Sequence, residues 1–260
     1  MSLNIYINEF PEKIRKSILQ EAIQGKLTEQ DPNDEPASIL LEKIRKEKEK
    51  LIKENKIKRN RNEGMIYKEN GYYYEKIGKE INCIDDEIPF DIPENWAWCR
   101  IQSLGEIVGG GTPKTKVNEY WVGGTIPWLT PADMKNIKGK FASKGKRNIT
   151  QRGLERSSAK LMPKNTIIYS SRAPIGYIAI ASNELSTNQG FKSLTPINSK
   201  IVNYIYYCLK AMTPKIQSRA SGTTFKEISG AEFGKILISL PPLEEQKRIV
   251  EEIEKIYYLH

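Results

Sequence analysis

The chain has 260 residues, 41 Lys/Arg against 32 Asp/Glu for a net charge of +9, and 38% hydrophobic residues. That length holds one large domain or two modest ones, and four Trp with thirteen Tyr exclude a low-complexity tail. No apolar run approaches the roughly 18 residues of a membrane span, no secretory leader is visible, and three scattered cysteines exclude a disulfide framework, so a cytoplasmic location is expected.

Residues 11–24 are expected to form a helix. Pro11 suits a first position, and Ile14, Ile18, Leu19, Ala22 and Ile23 share one face before Gly25. A polar loop follows over 28–35. A second helix is expected over 36–60, with Ile39, Leu40, Ile44, Leu51 and Ile52 as its apolar seam and Glu47 and Lys48 interrupting it. At 1.5 Å per residue it would span about 37 Å. Its seam is expected to be buried in an antiparallel pairing. Residues 61–95 read as a connector, with Tyr72, Tyr73 and Tyr74, an acidic patch at 85–87, and a stiff end at Pro89 and Pro93.

From 96 to 240 short apolar runs alternate with Gly and Pro. The runs are Trp98–Val108, Thr166–Ser170, Tyr177–Ala181 and Lys235–Leu240; Thr166-Ile167-Ile168-Tyr169 and Ile236-Leu237-Ile238 read as buried strands, and Asn203–Met212 as a helix with Ile205, Tyr206 and Leu209 inward. After Pro241 and Pro242 a helix is expected from Leu243, with Glu244 and Glu245 in its first turn. Leu243, Gln246, Val250, Ile253 and Tyr257 step 3, 4, 3, 4, a coiled-coil spacing. The fold class is therefore α+β: helices over 1–60, a connector over 61–95, a mixed α/β globular domain over 96–240, and the start of another helix over 241–260. The long helices are expected to form an antiparallel coiled coil.

Charge is segregated along the chain. Residues 1–109 hold 18 Lys/Arg and 21 Asp/Glu, residues 110–235 hold 20 and 6, and residues 236–260 hold 3 and 5. A net of +14 confined to the central block points to a polyanion, with counterion release driving salt-dependent binding. Catalytic signatures are missing. The single histidine, His260, is the last residue, which removes Ser-His-Asp and Cys-His arrangements and histidine metal sites. There is no P-loop, no Asn/Asp-Pro-Pro-Tyr/Phe tetrapeptide, and no clustered carboxylates of the kind a Mg²⁺ nuclease needs. Binding features remain: the glycine run 109–111, Ser171 and Arg172 after a predicted strand, the amides of Asn188 and Gln189, and the hydroxyl-rich loop Ser221–Lys226. Asn188 and Gln189 also suit the bracing of a turn.

Several segments fall in a familiar order: Lys16–Leu27, Asp34-Glu35-Pro36-Ala37, Leu40–Ile44, Ile92-Pro93-Glu94-Asn95-Trp96, Gly111-Thr112-Pro113, Ile126-Pro127-Trp128, Asn188-Gln189-Gly190, Gly222-Thr223-Thr224 and Leu240–Gln246. Over nearly its whole length the chain resembles the specificity (S) subunit of type I restriction–modification systems. The resemblance implies target recognition domains held by paired helices, each reading half of a split DNA site, and the 36–60 helix would then match one DNA turn of roughly 34–36 Å as a ruler between half-sites. It implies a non-catalytic subunit. S-adenosylmethionine, Mg²⁺ and ATP would belong to the modification and restriction subunits, and no metal or cofactor to this chain. The departure is a single recognition domain, so the chain is expected to be either a fragment or a half-size subunit that forms a homodimer.

On this reading Lys114, Lys116, Lys144, Lys146, Arg147, Arg152 and Arg156 grip phosphates of double-stranded DNA. Ser171 is a further DNA contact, Arg172, Asn188 and Gln189 face bases, and Thr223, Thr224 and Lys226 contact the backbone. Ile44, Leu51, Leu243, Val250, Ile253 and Tyr257 meet a partner helix, and modification subunits dock on the helical region. A stand-alone Mg²⁺ nuclease, a purely structural coiled-coil adaptor and an S-like subunit of another restriction class are the competing readings.

Overall fold

The computed structural model describes residues 3–222 and 226–257, with side chains from residue 12 onward. The chain divides into two units. One comprises Met1–Ser103, Asn203–Ala211 and Leu237–His260; the other comprises Leu104–Val202 and Met212–Ile236. The span 96–240 is thus shared between them. Residues 96–103, 203–211 and 237–240 belong with the helices, because long-range strand pairing and helix packing override sequence continuity. Among the described residues no helix is long and apolar enough to cross a membrane.

Helix α1 spans Leu3–Ile23, so it begins well before Pro11. The helix stops where Gly25 takes a φ of +71° and Lys26 N–H reaches back to Glu21 O at 3.0 Å. A Cβ on Gly25 would stand 2.6 Å from Pro93 Cγ, so glycine also admits the chain at Pro93. Helix α2 spans Ala37–Lys53 and stops in the same way, at Asn55 with φ +57° and Lys56 N–H on Leu51 O at 2.9 Å. Its 17 residues are about 25 Å long, so the expected 36–60 helix and its match to one DNA turn do not hold. Ala37, Leu40 and Ile44 are buried, and so is Lys48. Lys48 Nζ donates to Glu63 Oε2 at 2.6 Å and to Gln102 O, so the break in the apolar seam is a buried ion pair. Breaking such a pair costs about 3–5 kcal/mol.

The expected connector folds into a sheet. Strands β1 (Met65–Glu69), β2 (Tyr72–Ile77) and β3 (Glu80–Cys83) form an antiparallel meander. Asn70 at φ +51° and Gly71 at φ +90° make its first two-residue turn, the backbone that Asn-Gly favours. Buried Arg100 ties the meander to strand β4 (Ala97–Arg100), with Nη2 2.7 Å from Glu75 and Nη1 2.8 Å from Glu87.

After β4 the chain passes into the second unit and returns to the first through Asn203–Ala211 and again from Leu237 onward. A short turn α3 (Ile101–Leu104) leads to β5 (Gly105–Gly109) and β6 (Ile126–Leu129). Next come α4 (Pro131–Met134), β7 (Phe141–Ala142), β8 (Arg147–Ile149) and α5 (Gln151–Glu155). Strands β9 (Ile167–Tyr169), β10 (Ile178–Ala181), β11 (Ser186–Thr187) and β12 (Lys192–Pro196) complete its sheets. One sheet has the order β5-β12-β9-β10-β7 and another β11-β6-β8. Leu129, Met134, Met162, Ile168, Leu185 and Phe191 fill one core, and Trp128, Ile149 and Ala159 a smaller one. Helix α6 (Val202–Ser218) buries Ile205, Tyr206 and Leu209 as expected but runs on past Met212. Helix α7 (Gly230–Gly234), strand β13 (Leu237–Leu240), paired with β4, and helix α8 (Leu243–Tyr257) close the described chain.

In the first unit α1 runs antiparallel to α8. Ser239 Oγ donates to Ile23 O at 2.6 Å at one end, and the Arg15 guanidinium lies 5.4 Å from the Tyr257 ring at the other. The buried face of α8 is Glu245, Gln246, Ile249 and Ile253. It advances in fours, as a straight helix packing on its own chain does, and leaves Leu243, Val250 and Tyr257 half-buried. Ile44 and Ile253, expected to face a partner, are 2% and 0% exposed and belong to this chain's own core.

The carboxylate of Glu245 gathers distant segments. Trp96 Nε1 donates to Oε2 at 2.8 Å, and Gln30 Nε2 to Oε1 at 2.6 Å. Nearby, Arg248 pairs with Asp34 at 2.6 Å, Gln246 Nε2 donates to Pro241 O at 2.9 Å, and Ala37 N–H donates to Asn95 O at 2.9 Å. Burial pushes the Glu245 carboxyl above the ordinary carboxylate range, against the pull of the Trp96 and Gln30 hydrogen bonds. A raised folded-state pKa means the folded chain holds this proton more tightly than the unfolded chain. The associated stability is present at low pH and lost as pH rises through the folded value. Thermal unfolding of the wild type and Glu245→Gln, followed from acid to neutral pH, is expected to show the variant gaining relative stability just above the ordinary carboxylate range. A constant difference across that window would contradict the assignment.

Candidate nucleic-acid interface

The second unit holds 19 Lys/Arg and 7 Asp/Glu, a net of +12, while the remainder of the chain is net −3. The charge asymmetry therefore belongs to one folded unit. Within it, five segments far apart in sequence meet at a single hub.

The hub starts at the glycine run after β5. Gly111 N–H donates to Thr187 O at 2.9 Å, and Trp128 Nε1 donates to Gly111 O at 2.9 Å. A Cβ on Gly110 would lie 1.8 Å from Asn188 O, and one on Gly111 2.3 Å from Ala159 N. The glycines are there because two backbones touch, and this is no phosphate loop opening a helix. Strand β11 lies parallel to β6, with Ser186 opposite Trp128 and Thr187 opposite Leu129. Asn188 N–H then donates to Leu129 O at 2.9 Å. The chain turns back at once: Asn188 Oδ1 accepts Gly190 N–H at 2.9 Å. Gly190 O accepts Ser171 N–H at 2.8 Å, and Ser171 O accepts Ile228 N–H at 3.0 Å. Segments 110–113, 126–128, 171–172, 188–190 and 226–228 are thus one hydrogen-bonded patch.

The expected contact residues divide in three. Lys114, Lys116, Lys144, Lys146, Arg147, Arg152, Arg156, Gln189 and Lys226 are exposed. Gln189 is steadied by the Thr112 hydroxyl, which donates to its Oε1. Arg147 lies 3.5 Å from the Trp121 ring centroid, and Arg152 is 3.2 Å from Glu119. Arg172 and Asn188 are partly exposed and already engaged. Arg172 faces Glu227 at 3.5 Å, with Lys192 at 3.4 Å from the other oxygen of that carboxylate. Asn188 spends its side-chain oxygen on the turn, the bracing role its sequence equally suited. Ser171 is fully buried, so the expected surface role does not hold: Gly190 O and Ile228 N–H bond its backbone from two sides and the residue lies inside. Thr223, Thr224 and His260 lie outside the described residues.

Asp133 was not singled out by sequence, yet it shapes the basic segment. Its buried carboxylate accepts Thr130 N–H at 2.8 Å, Thr130 Oγ1–H at 2.7 Å and Lys146 N–H at 3.0 Å. Thr130-x-x-Asp133 is the local signal, a capping box at α4. Among the described residues no group of three or more His, Cys, Asp or Glu side chains could hold a metal ion.

A family profile described as the type I restriction modification DNA specificity domain matches residues 93–260. The specificity subunit of type I restriction enzyme MjaIX from Methanocaldococcus jannaschii is 43% identical over 160 residues, covering 61% of this chain and 37% of that protein. The EcoAI specificity subunit of Escherichia coli is 27% identical over 265 residues, covering 94% and 39%. Among solved structures, a chain from work on complex assembly and conformational transition of the type I R-M system aligns over 97% of this chain and 50% of its own. Its TM-score is 0.51 at 20% identity, which speaks to fold alone. The chain spans about two fifths of the length of the curated relatives it matches.

The close approach at the hub gives a controlled test. Gly110→Ala is expected to lower stability to urea by at least about 1–3 kcal/mol, because its Cβ meets backbone. Gly109→Ala, with nothing within 4 Å of its Cβ, is expected to change it by less than about 0.5 kcal/mol. Equal midpoints for the two variants would contradict the geometry.

Proposed function

Because the chain belongs to the type I restriction modification DNA specificity family, we propose that it is a non-catalytic, sequence-specific DNA recognition subunit. It reads one half of a bipartite target and docks the modification subunits, which carry methyl transfer. The observation that carries this reading is the convergence of five separate segments on one patch of a unit with net charge +12.

Exposed Lys114, Lys116, Lys144, Lys146, Arg147, Arg152 and Arg156 hold phosphates and set register without reading sequence. Gln189 is the foremost base reader: it is exposed, and the Thr112 hydroxyl limits its rotamers. Arg172 reads a base by exchanging Glu227 for a guanine edge. Their ion pair is partly exposed, worth at most about 1 kcal/mol, so the exchange costs little. Lys226, with Thr223 and Thr224, meets the backbone. Residues 96–240 supply the recognition domain in this reading.

The helices serve protein contacts. Leu51, Leu243, Val250 and Tyr257 are half-buried and supply the seam of an antiparallel coiled coil with a further helix. In a homodimer that helix comes from a second copy, and two-fold symmetry requires an interrupted palindrome. S-adenosylmethionine, Mg²⁺ and ATP belong to the modification and restriction subunits. The protein works in the cytoplasm, where its DNA is.

Salt-dependent binding to the preferred duplex separates the two kinds of contact. Lys146→Ala is expected to weaken all duplexes alike and to reduce the slope of log K against log salt by about one. Gln189→Ala is expected to keep the slope and relax preference at one position, worth about 1–3 kcal/mol. An unchanged slope in the first together with unchanged preference in the second would refute the reading.

A further inference from the structure

Val122 is the most exposed of the large apolar side chains among the described residues, at 74%. Single exposed apolar residues are ordinary on protein surfaces, so exposure alone says nothing. Its setting is what matters. The turn that presents it is rooted at several points. Val122 N–H donates to Asn118 O at 2.8 Å, Gly124 N–H to Trp121 O at 3.1 Å, and Thr150 N–H to Tyr120 O at 3.0 Å. Thr150 Oγ1 donates to Glu119 O at 2.8 Å, and Gly123 takes the left-handed φ of +73° that closes the turn. Gly153 packs so tightly beneath it that a Cβ there would lie 2.6 Å from Tyr120 O.

The neighbouring side chain ties this turn to the hub. Trp121 packs edge-on against Trp128 at 5.1 Å, and Trp128 holds Gly111 O. Trp121 Nε1 donates to Lys114 O at 3.2 Å, and Arg147 covers its ring at 3.5 Å. The indole is therefore occupied on its face and at its N–H, and does not offer itself for stacking on a base. What the turn presents outward is a short aliphatic group, and its neighbours in the turn engage the basic segments: Trp121 bonds Lys114 O and carries Arg147 on its ring, and Glu119 pairs with Arg152. A rigid aliphatic tip among cations suits a place where phosphates flank an apolar spot. On duplex DNA the apolar spot on a base edge is the 5-methyl group of thymine in the major groove.

The geometry points to Val122 as a specificity residue whose isopropyl group packs on the 5-methyl of one thymine in the target, with Arg147 and Lys114 on the adjoining phosphates. This deepens the DNA-recognition reading and rests on it. The contact contributes discrimination without a hydrogen bond, which is why a search of the sequence for amides and guanidinia passes over it.

The test uses the full chain and the duplex it enriches from a random pool, with each thymine replaced in turn by uracil, which differs only by lacking that methyl. One replacement is expected to weaken wild-type binding about fourfold, the worth of one buried methyl contact. Val122→Ala is expected to bind the thymine duplex about fourfold more weakly than wild type and to lose nothing further on that same replacement. Its side chain is 74% exposed, so its truncation removes little buried surface and the variant is expected to fold. The inference is overturned if no uracil replacement affects wild type, or if the variant loses as much as wild type does. Failure to enrich any duplex would overturn the DNA reading itself, and this inference with it.

Discussion

The candidate surface depends on a contact too close for a side chain. At Gly110 and Gly111 the chain leaving β5 lies against the backbone of Asn188, Ser158 and Ala159. Any other residue there would drive these strands apart. Because they touch, Gly111 can bond to Thr187, Trp128 can bond to Gly111, and the Asn188 turn stands beside Thr112. The turn then hands its carbonyl at Gly190 to Ser171, and Ser171 hands its own to Ile228. A surface assembled this way is stiff in its backbone and variable in its outward side chains. That division suits a reader of DNA: the hub fixes where loops sit, and in the proposed reading residues such as Gln189 and Val122 decide what they touch.

The other unit solves a similar problem with a polar knot. Glu245 is a buried carboxylate whose oxygens accept from Trp96, Gln30 and, more distantly at 3.4 Å, Thr28, with the Arg248 guanidinium near enough to act on its charge. Around it Tyr204 O–H donates to Ser239 O at 2.6 Å, and Ser239 in turn holds the last carbonyl of α1. The lead-in segment 92–96, the loop 28–37 and the exit 240–246 therefore meet because one carboxylate needs all of their donors. The motifs that carry the family resemblance thus have two physical roles. Those of the helical part lock the chain's crossings, and those of the basic unit build the patch.

Much of this was legible in the sequence, for local reasons. Short apolar runs marked β9, β10 and β13, helical spacing placed α6 and α8, and charge counting isolated the basic unit. The misreadings are equally specific. Asn70-Gly71 was a hairpin signal inside what reads as a connector, and Asn55 was the stop of α2. Lys48 breaks a seam in sequence yet is buried in the fold, because Glu63 and the Gln102 carbonyl arrive from elsewhere. Ser171 follows a strand and looks like a surface loop, but Gly190 and Ile228 close over its backbone from both sides. None of these partners lies within ten residues, and pairing at such distance leaves no trace in local pattern. The same is true of the hub, whose five segments could be noticed singly but not assembled.

The central claim is that these segments form one DNA-facing patch. Amide hydrogen exchange of the full chain, with and without the duplex it selects, tests this most directly, since it reports every loop at once. The account predicts that bound DNA slows exchange together in 112–118, 121–124, 144–147 and 188–190, and leaves the 65–83 meander unchanged. Protection confined to the meander and helices, or absent from 188–190 while DNA is bound, would contradict it.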